Sequence, residues 1–151
     1  MASDPEAQVH VTVLREAVRD ALPLASGGLV VDLTLGLGGH TEAILAACEG
    51  VRVLGVDRDP EALARARARL APFGDRLETH EAAFASLGRV LAGRKALGIV
   101  ADLGVSSLQL DDAARGMSFR AEGPLDMRMG RDTEETAWSL VRRLRDDALA
   151  N

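Results

Sequence analysis

Apolar and polar positions along this chain follow two rhythms. Helical spacing comes first, with Val13, Leu14, Ala17, Val18, Ala21 and Leu22 on one face of a helix that Thr12 can cap and that ends near Pro23. Gly27-Gly28 then turns the chain into the apolar run Leu29-Val30-Val31, a first strand. A glycine-rich turn and a helical pattern from Thr41 to Cys48 follow. A second apolar strand, Arg52 to Val56, ends in Asp57. Asp59-Pro60-Glu61 supplies a cap, a proline at the first helical position and an acid in the first turn. That helix runs through Leu63, Ala66, Arg67 and Leu70 to Pro72. A short strand is expected over Leu77 to Thr79, a loop at Phe84, a helix over Leu87 to Ala92 and a fourth buried strand over Leu97 to Leu103. A last helix is expected from Glu134 into Leu149, with Ala137, Leu140, Val141, Leu144 and Leu149 apolar. Strands alternating with helices predict an α/β fold with a doubly wound parallel sheet.

The turn after the first strand carries the clearest chemistry. In DLTLGLGGH, Asp32 to His40, the glycines Gly36, Gly38 and Gly39 adopt positive φ at little cost and present no Cβ to a ligand. Strand, glycine turn and helix form the unit that lets backbone approach a nucleotide-like cofactor. Asp57, at the end of the next strand, suits the two hydroxyls of a ribose; the plainer use of the same side chain is to cap the following turn. These features point to an adenosine-containing cofactor without choosing which. From Gly104 the texture becomes loop-like, and ligands of open α/β sheets bind at strand carboxyl ends.

Composition narrows the field. The chain has 151 residues, enough for one domain, and its apolar fraction of 47% is enough for a core. A net charge of −5 argues against a nucleic-acid binder that is basic overall and leaves open a local patch. Arg142, Arg143 and Arg145 form one basic run, read first as a solvated helix face and second as an RNA contact. The single cysteine excludes an internal disulfide and fits a reducing cytoplasm; Cys48 is read as a packed helix residue. His10 and His80 have no metal-type partners nearby in sequence, so no metal site is expected. The polar, acidic start MASDPEAQ is unlike a signal peptide, and no apolar run approaches the roughly 20 residues that span a bilayer.

Several strings together go beyond a generic glycine loop. They are HVTVL (His10 to Leu14), DLTLGLGGH, GVDRDPEAL (Gly55 to Leu63), ADLGVSSLQLDD (Ala101 to Asp112), RGMSF (Arg115 to Phe119) and GPLDMRM (Gly123 to Met129). In this order they resemble the bacterial 16S ribosomal RNA cytosine-N4 methyltransferase family. The resemblance implies a Rossmann-like fold of the class I methyltransferases, S-adenosyl-L-methionine as cofactor, 16S rRNA or the small ribosomal subunit as partner, and a cytoplasmic location. It places cofactor contacts on Gly38, Gly39, His40, Asp57, Phe84, Asp102 and Gln109. Glycine amides would approach the methionine end, and Asp57 the ribose. Phe84 would lie against the adenine, with plain core packing as its competing use. His40 would act more through its backbone than its imidazole. Asp102 is the catalytic candidate, a polar acceptor near the reacting amine or the methionine amino group. Many amino-methyltransferases carry Asp/Asn-Pro-Pro-aromatic after the fourth strand. Here that place holds Asp102-Leu103-Gly104-Val105, so the acceptor geometry must differ. Leu37 inside the glycine turn and Leu108, in place of the family's usual proline, are further departures.

The family is about twice as long as this chain. Residues 1–110 are therefore expected to be the N-terminal part of the cofactor domain, and 111–151 the beginning of a helical substrate-binding insert. In a fold of this type the strand order is 3-2-1-4, which leaves the fourth strand as an unpaired edge. The chain is thus expected to be a fragment of weak or no activity alone, prone to self-association through that edge or to pairing with a missing C-terminal half. Two alternatives stand beside this reading. One is an NAD-dependent oxidoreductase, although Thr41 occupies the last glycine position of its G-x-G-x-x-G loop. The other is a non-catalytic nucleotide-binding remnant.

Overall fold

The computed structural model describes residues 12–130 and 133–150; His10 lies outside them. Four parallel strands form one sheet in the order β3-β2-β1-β4, with β1 Gly28–Asp32, β2 Val51–Asp57, β3 Leu77–Glu81 and β4 Gly98–Val100. Helix α1 (Arg15–Asp20) precedes the sheet, α2 (Gly39–Ala47) joins β1 to β2, α3 (Pro60–Leu70) joins β2 to β3, and α4 (Leu87–Leu91) lies between β3 and β4. Beyond the sheet come α5 (Ser107–Asp111), α6 (Ala137–Arg143) and α7 (Asp146–Leu149). The α/β class and the strand order match the sequence expectation. No helix among the described residues is long and apolar enough to cross a membrane.

Consecutive strand residues face opposite sides, and both sides are covered at the sheet centre: Val30 and Val31 are each fully buried. On one side Val30, Val51, Val53 and Val100 pack against Ile44 and Leu45 of α2, with Val18 and Leu22 from the α1 region and Cys48 beside them. Leu35, Leu63, Ala66 and Leu70 extend this packing along α3. On the other side Val31, Leu54 and Val56 meet Leu87, Val90 and Leu91 of α4. That second face is only partly clothed by the described residues, and Ile99 of β4 remains half exposed.

Helix α2 starts two residues earlier than the sequence reading and ends before Cys48, β3 runs two residues longer, and three elements differ more. Helix α1 starts at Arg15 after Leu14 in the left-handed region, with no side-chain cap; Val13 and Leu14 are exposed. Thr12 instead lies over Gly39, where a Cβ would collide with its hydroxyl. The fourth strand ends at Val100 rather than Leu103. After the Val100 carbonyl accepts from the Leu33 N–H, the next amide of the run to bond, Asp102 N–H, turns to the Thr34 hydroxyl, so the chain leaves the sheet. The last helix is two. Thr136 and Ser139 form a reciprocal capping box that delays its start to Ala137. Extended backbone at Leu144 and Arg145 then separates α6 from α7. The amides of Ala137 and Trp138 donate to the carbonyls of Asp126 and Leu125, which ties α6 to the loop before it.

Candidate functional site

Parallel strands end their ladders at the same side of the sheet, and the loops that leave β1, β2 and β4 meet there. They enclose a cavity of about 380 Å³, a size typical of small-ligand sites. Its walls include Gly39, His40, Asp57, Phe84, Asp102 and Gln109. Gly38 stands behind the wall rather than in it. Its φ of 79° caps α2 in the left-handed region, and a Cβ there would lie 2.7 Å from Leu70 Cδ1. Glycine is therefore required at this position by backbone and packing together.

A hydrogen-bond network fixes the loops. Asp32, 1% exposed, accepts from the Thr41 hydroxyl at 2.8 Å and from the Thr34 amide at 3.1 Å. Burial pushes its carboxyl up from the ordinary aspartate range, and the two donors oppose that rise. The Thr34 hydroxyl accepts from the Asp102 amide at 2.8 Å, joining the β1 and β4 loops. Asp57 accepts from the Gly36 amide at 2.8 Å and from the Asp59 amide at 3.0 Å. It thus caps its own turn and holds the glycine loop at once, with lone pairs left over on both oxygens. Sequence reasoning passed over Asp32, Thr34 and Thr41 as a group; the one available signal was an acid ending a buried apolar strand.

The cavity's side chains differ in freedom. Phe84 is half exposed, so it is a wall and not core. Gln109 is buried and closes a capping box with Ser106: its Oε1 accepts from the Ser106 amide, and the Ser106 hydroxyl accepts from the Gln109 amide. The Gln109 side-chain NH₂ has no partner among the described residues. The Asp102 side chain is 63% exposed, and His40 Nε2 lies 3.6 Å from its Oδ2. Leu103, Val105 and Met129 add exposed apolar surface around that carboxylate. Arg115 links the later loops to the domain through Asp59 at 2.7 Å, beside a smaller cavity.

A carboxylate at the first turn of α2 bears on the choice of ligand. Dinucleotide enzymes place a pyrophosphate at this helix start. Asp102 beside His40, the second residue of α2, would repel it. An adenosyl amino acid brings an ammonium and a cationic sulfur, both of which this carboxylate attracts.

Residues 7–151 match the MraW methylase family. The chain belongs to that family. The family is S-adenosylmethionine-dependent. The chain is 53% identical over 150 residues to a ribosomal RNA small subunit methyltransferase H of Sorangium cellulosum, covering 97% of this chain and 47% of that protein. The protein of the same name from Synechococcus elongatus is 46% identical over 151 residues, covering 99% of this chain and 50% of the relative. The chain thus spans about half the length of the curated relatives it matches. Among solved structures, the C-terminal domain of precorrin-6Y C5,15-methyltransferase from Rhodobacter capsulatus superposes with a TM-score of 0.53 at 16% identity, over 68% of this chain and 55% of that one. That likeness speaks for the fold alone. None of these matches supports the oxidoreductase alternative.

Proposed function

We propose that this chain forms the cofactor-binding half of an enzyme that methylates the N4 amine of a cytosine in 16S rRNA. The observation that carries the reading is the cavity, where a ribose-type acceptor, Asp57, and an exposed carboxylate, Asp102, line one space beside side-chain-free backbone at Gly36 and Gly39. S-adenosylmethionine, bound there, supplies an electrophilic methyl group on a sulfonium. Asp57 accepts from the ribose hydroxyls with the lone pairs that the Gly36 and Asp59 amides leave open. Phe84 offers an aromatic face to the adenine. Gly39 and His40 present backbone to the methionine end, Gly38 shapes the turn that lets them do so, and the Gln109 NH₂ is available as a donor.

The exocyclic amine of cytosine is a weak nucleophile because its lone pair is delocalised into the ring. Asp102 would accept a hydrogen bond from its N–H, orient the lone pair, and take the proton released as the N–C bond forms and the methyl's bond to sulfur breaks, its electron pair staying on the now neutral sulfur. The same carboxylate favours the cationic sulfur. Residues 111–151 begin the part of the protein that holds RNA. The partner is 16S rRNA, free or within the small ribosomal subunit, and the cytoplasm is the compartment.

Calorimetry with S-adenosylhomocysteine and with NAD tests the cofactor reading. Binding of the first and not the second is expected, with Asp57→Ala weakening it by about 10- to 100-fold through loss of charge-assisted hydrogen bonds. Binding of NAD, or unaltered affinity in Asp57→Ala, refutes it.

A further inference from the structure

His40 is one of three histidines in the sequence and is 6% exposed. Its Nδ1 is buried without a hydrogen-bond partner among the described residues. Its Nε2 faces Asp102 Oδ2 at 3.6 Å. Asp32 is a second carboxylate near the ring, and its oxygens are already engaged by Thr41 and Thr34. Among the described residues the Asp102 side chain has no polar partner other than this ring, while its backbone amide is pinned by Thr34. The backbone is thus fixed and the carboxylate is free to turn.

The ring's two neutral tautomers differ in what they leave unpaired. A proton on Nδ1 buries an unpaired donor and turns a bare Nε2 lone pair toward a carboxylate, which repels it. A neutral ring with its proton on Nε2 directs that donor at Asp102 and leaves only a bare acceptor buried. Unpaired buried donors are rarer in folded proteins than under-satisfied acceptors. From these contacts we infer that His40 is a positioning residue. Its neutral form carries the proton on Nε2, and it steers the Asp102 carboxylate by presenting that N–H to Oδ2, 3.6 Å away. The other oxygen, Oδ1, stays available to the amine. This rests on the methyl-transfer reading above, in which Asp102 serves the reacting centre, and it gives the imidazole a task separate from the contacts of its backbone.

Two measurements on the 151-residue chain test it. Long-range proton–nitrogen correlation spectra at about pH 8, above the ordinary titration of imidazole, report which ring nitrogen carries the proton. A protonated Nε2 and a bare Nδ1 are expected at His40, with the Nε2 proton moving when Asp102→Asn removes the charge it faces. The second measurement compares S-adenosylhomocysteine with sinefungin, whose ammonium replaces the neutral sulfur. Asp102→Asn is expected to weaken sinefungin about tenfold relative to S-adenosylhomocysteine. His40→Leu should shift the same ratio about three- to tenfold, and His40→Gln, which retains a donor of similar reach, should restore it to within about twofold. A merely structural role would weaken both ligands alike and leave Gln no better than Leu. That result, or a proton on Nδ1 in the neutral ring, overturns the inference. If neither ligand binds the unaltered chain, the cofactor reading fails instead, and the spectra alone decide the His40–Asp102 contact.

Discussion

Gly38→Ala isolates the backbone geometry on which the glycine turn depends. Two costs follow from the structure. Alanine at a φ of 79° pays about 1–2 kcal/mol for left-handed backbone. Its Cβ also lies 2.7 Å from Leu70 Cδ1 and 3.2 Å from Leu70 Cγ. Leu70 is 1% exposed and packed among Leu35, Leu63 and Ala66, so its displacement carries an overpacking cost of about 1–3 kcal/mol. Together these give about 2–5 kcal/mol, a large share of the ~5–15 kcal/mol typical of a domain. Urea unfolding is the assay, and the midpoint should fall by about 1–3 M. Leu70→Ala alone should cost about 2–5 kcal/mol by leaving a cavity. In the double variant the new methyl enters the space that Leu70 vacates. The double variant should therefore be more stable than the sum of the two by about 1–3 kcal/mol, with the left-handed penalty remaining. Additivity within about 0.5 kcal/mol, or a loss under about 1 kcal/mol for Gly38→Ala alone, would refute the steric argument.

Two further predictions concern charge. Arg128 forks the Asp126 carboxylate at 2.7 and 2.8 Å, and this guanidinium holds its pKa at about 2. A depressed carboxylate stabilises the fold above its unfolded pKa of about 3.9, and the gain is lost as pH falls through about 2. Arg128→Met should thus lower the thermal midpoint at neutral pH, with the gap to wild type closing near pH 2; a gap independent of pH contradicts the assignment. Thr41→Val removes one of two donors from the buried Asp32 and should cost about 1.5–3 kcal/mol near neutrality. Because burial already raises the Asp32 pKa, the folded state holds its proton more tightly than the unfolded chain, and stability is lost as pH rises toward the folded value. Losing a donor raises that value further, so the deficit should shrink as pH falls toward about 4 in urea titrations; a deficit that grows on acidification would be the wrong sign.

Where local signals were strong, the sequence reading and the fold agree. Asp59 accepts from the Glu61 amide at the start of α3, as the Asp-Pro-Glu start implies. β1 and β2 are short apolar runs entered through glycine or turn residues, and both pair as parallel central strands. The reading failed where apolar spacing outlasts the element. Leu103 continues the pattern of β4 but is 70% exposed, because the strand ends at Val100 and the Asp102 amide bonds to the β1 loop instead. Ala137, Leu140, Val141 and Leu144 keep a helical spacing, yet extended backbone at Leu144 and Arg145 breaks the helix before α7. Residues 34 and 102 stand 68 apart in sequence, so their hydrogen bond leaves no local trace. The resemblance named the residues around the cavity; only the fold shows that a few of them hold the others in place.

That division of labour decides which parts of the site arrive ready-made. Asp57 grips the Gly36 amide, Asp32 grips Thr34 and Thr41, and Thr34 grips the Asp102 amide. Three strand-end loops are thereby locked to one another before any ligand enters. A donor or acceptor fixed in advance loses little freedom on binding, so interactions with the ribose and the methionine backbone translate efficiently into affinity. The Asp102 carboxylate is the exception, since its main chain is locked while its side chain is more than half exposed, with His40 beside it. On the proposed chemistry this group must serve two partners in turn, first a cation and then an amine that gives up a proton. A carboxylate welded into the network would have both oxygens spent, as those of Asp32 are. Affinity then belongs to the β1 and β2 loops, orientation of the reacting amine to the β4 loop, and substitutions in the two regions should separate ligand binding from turnover.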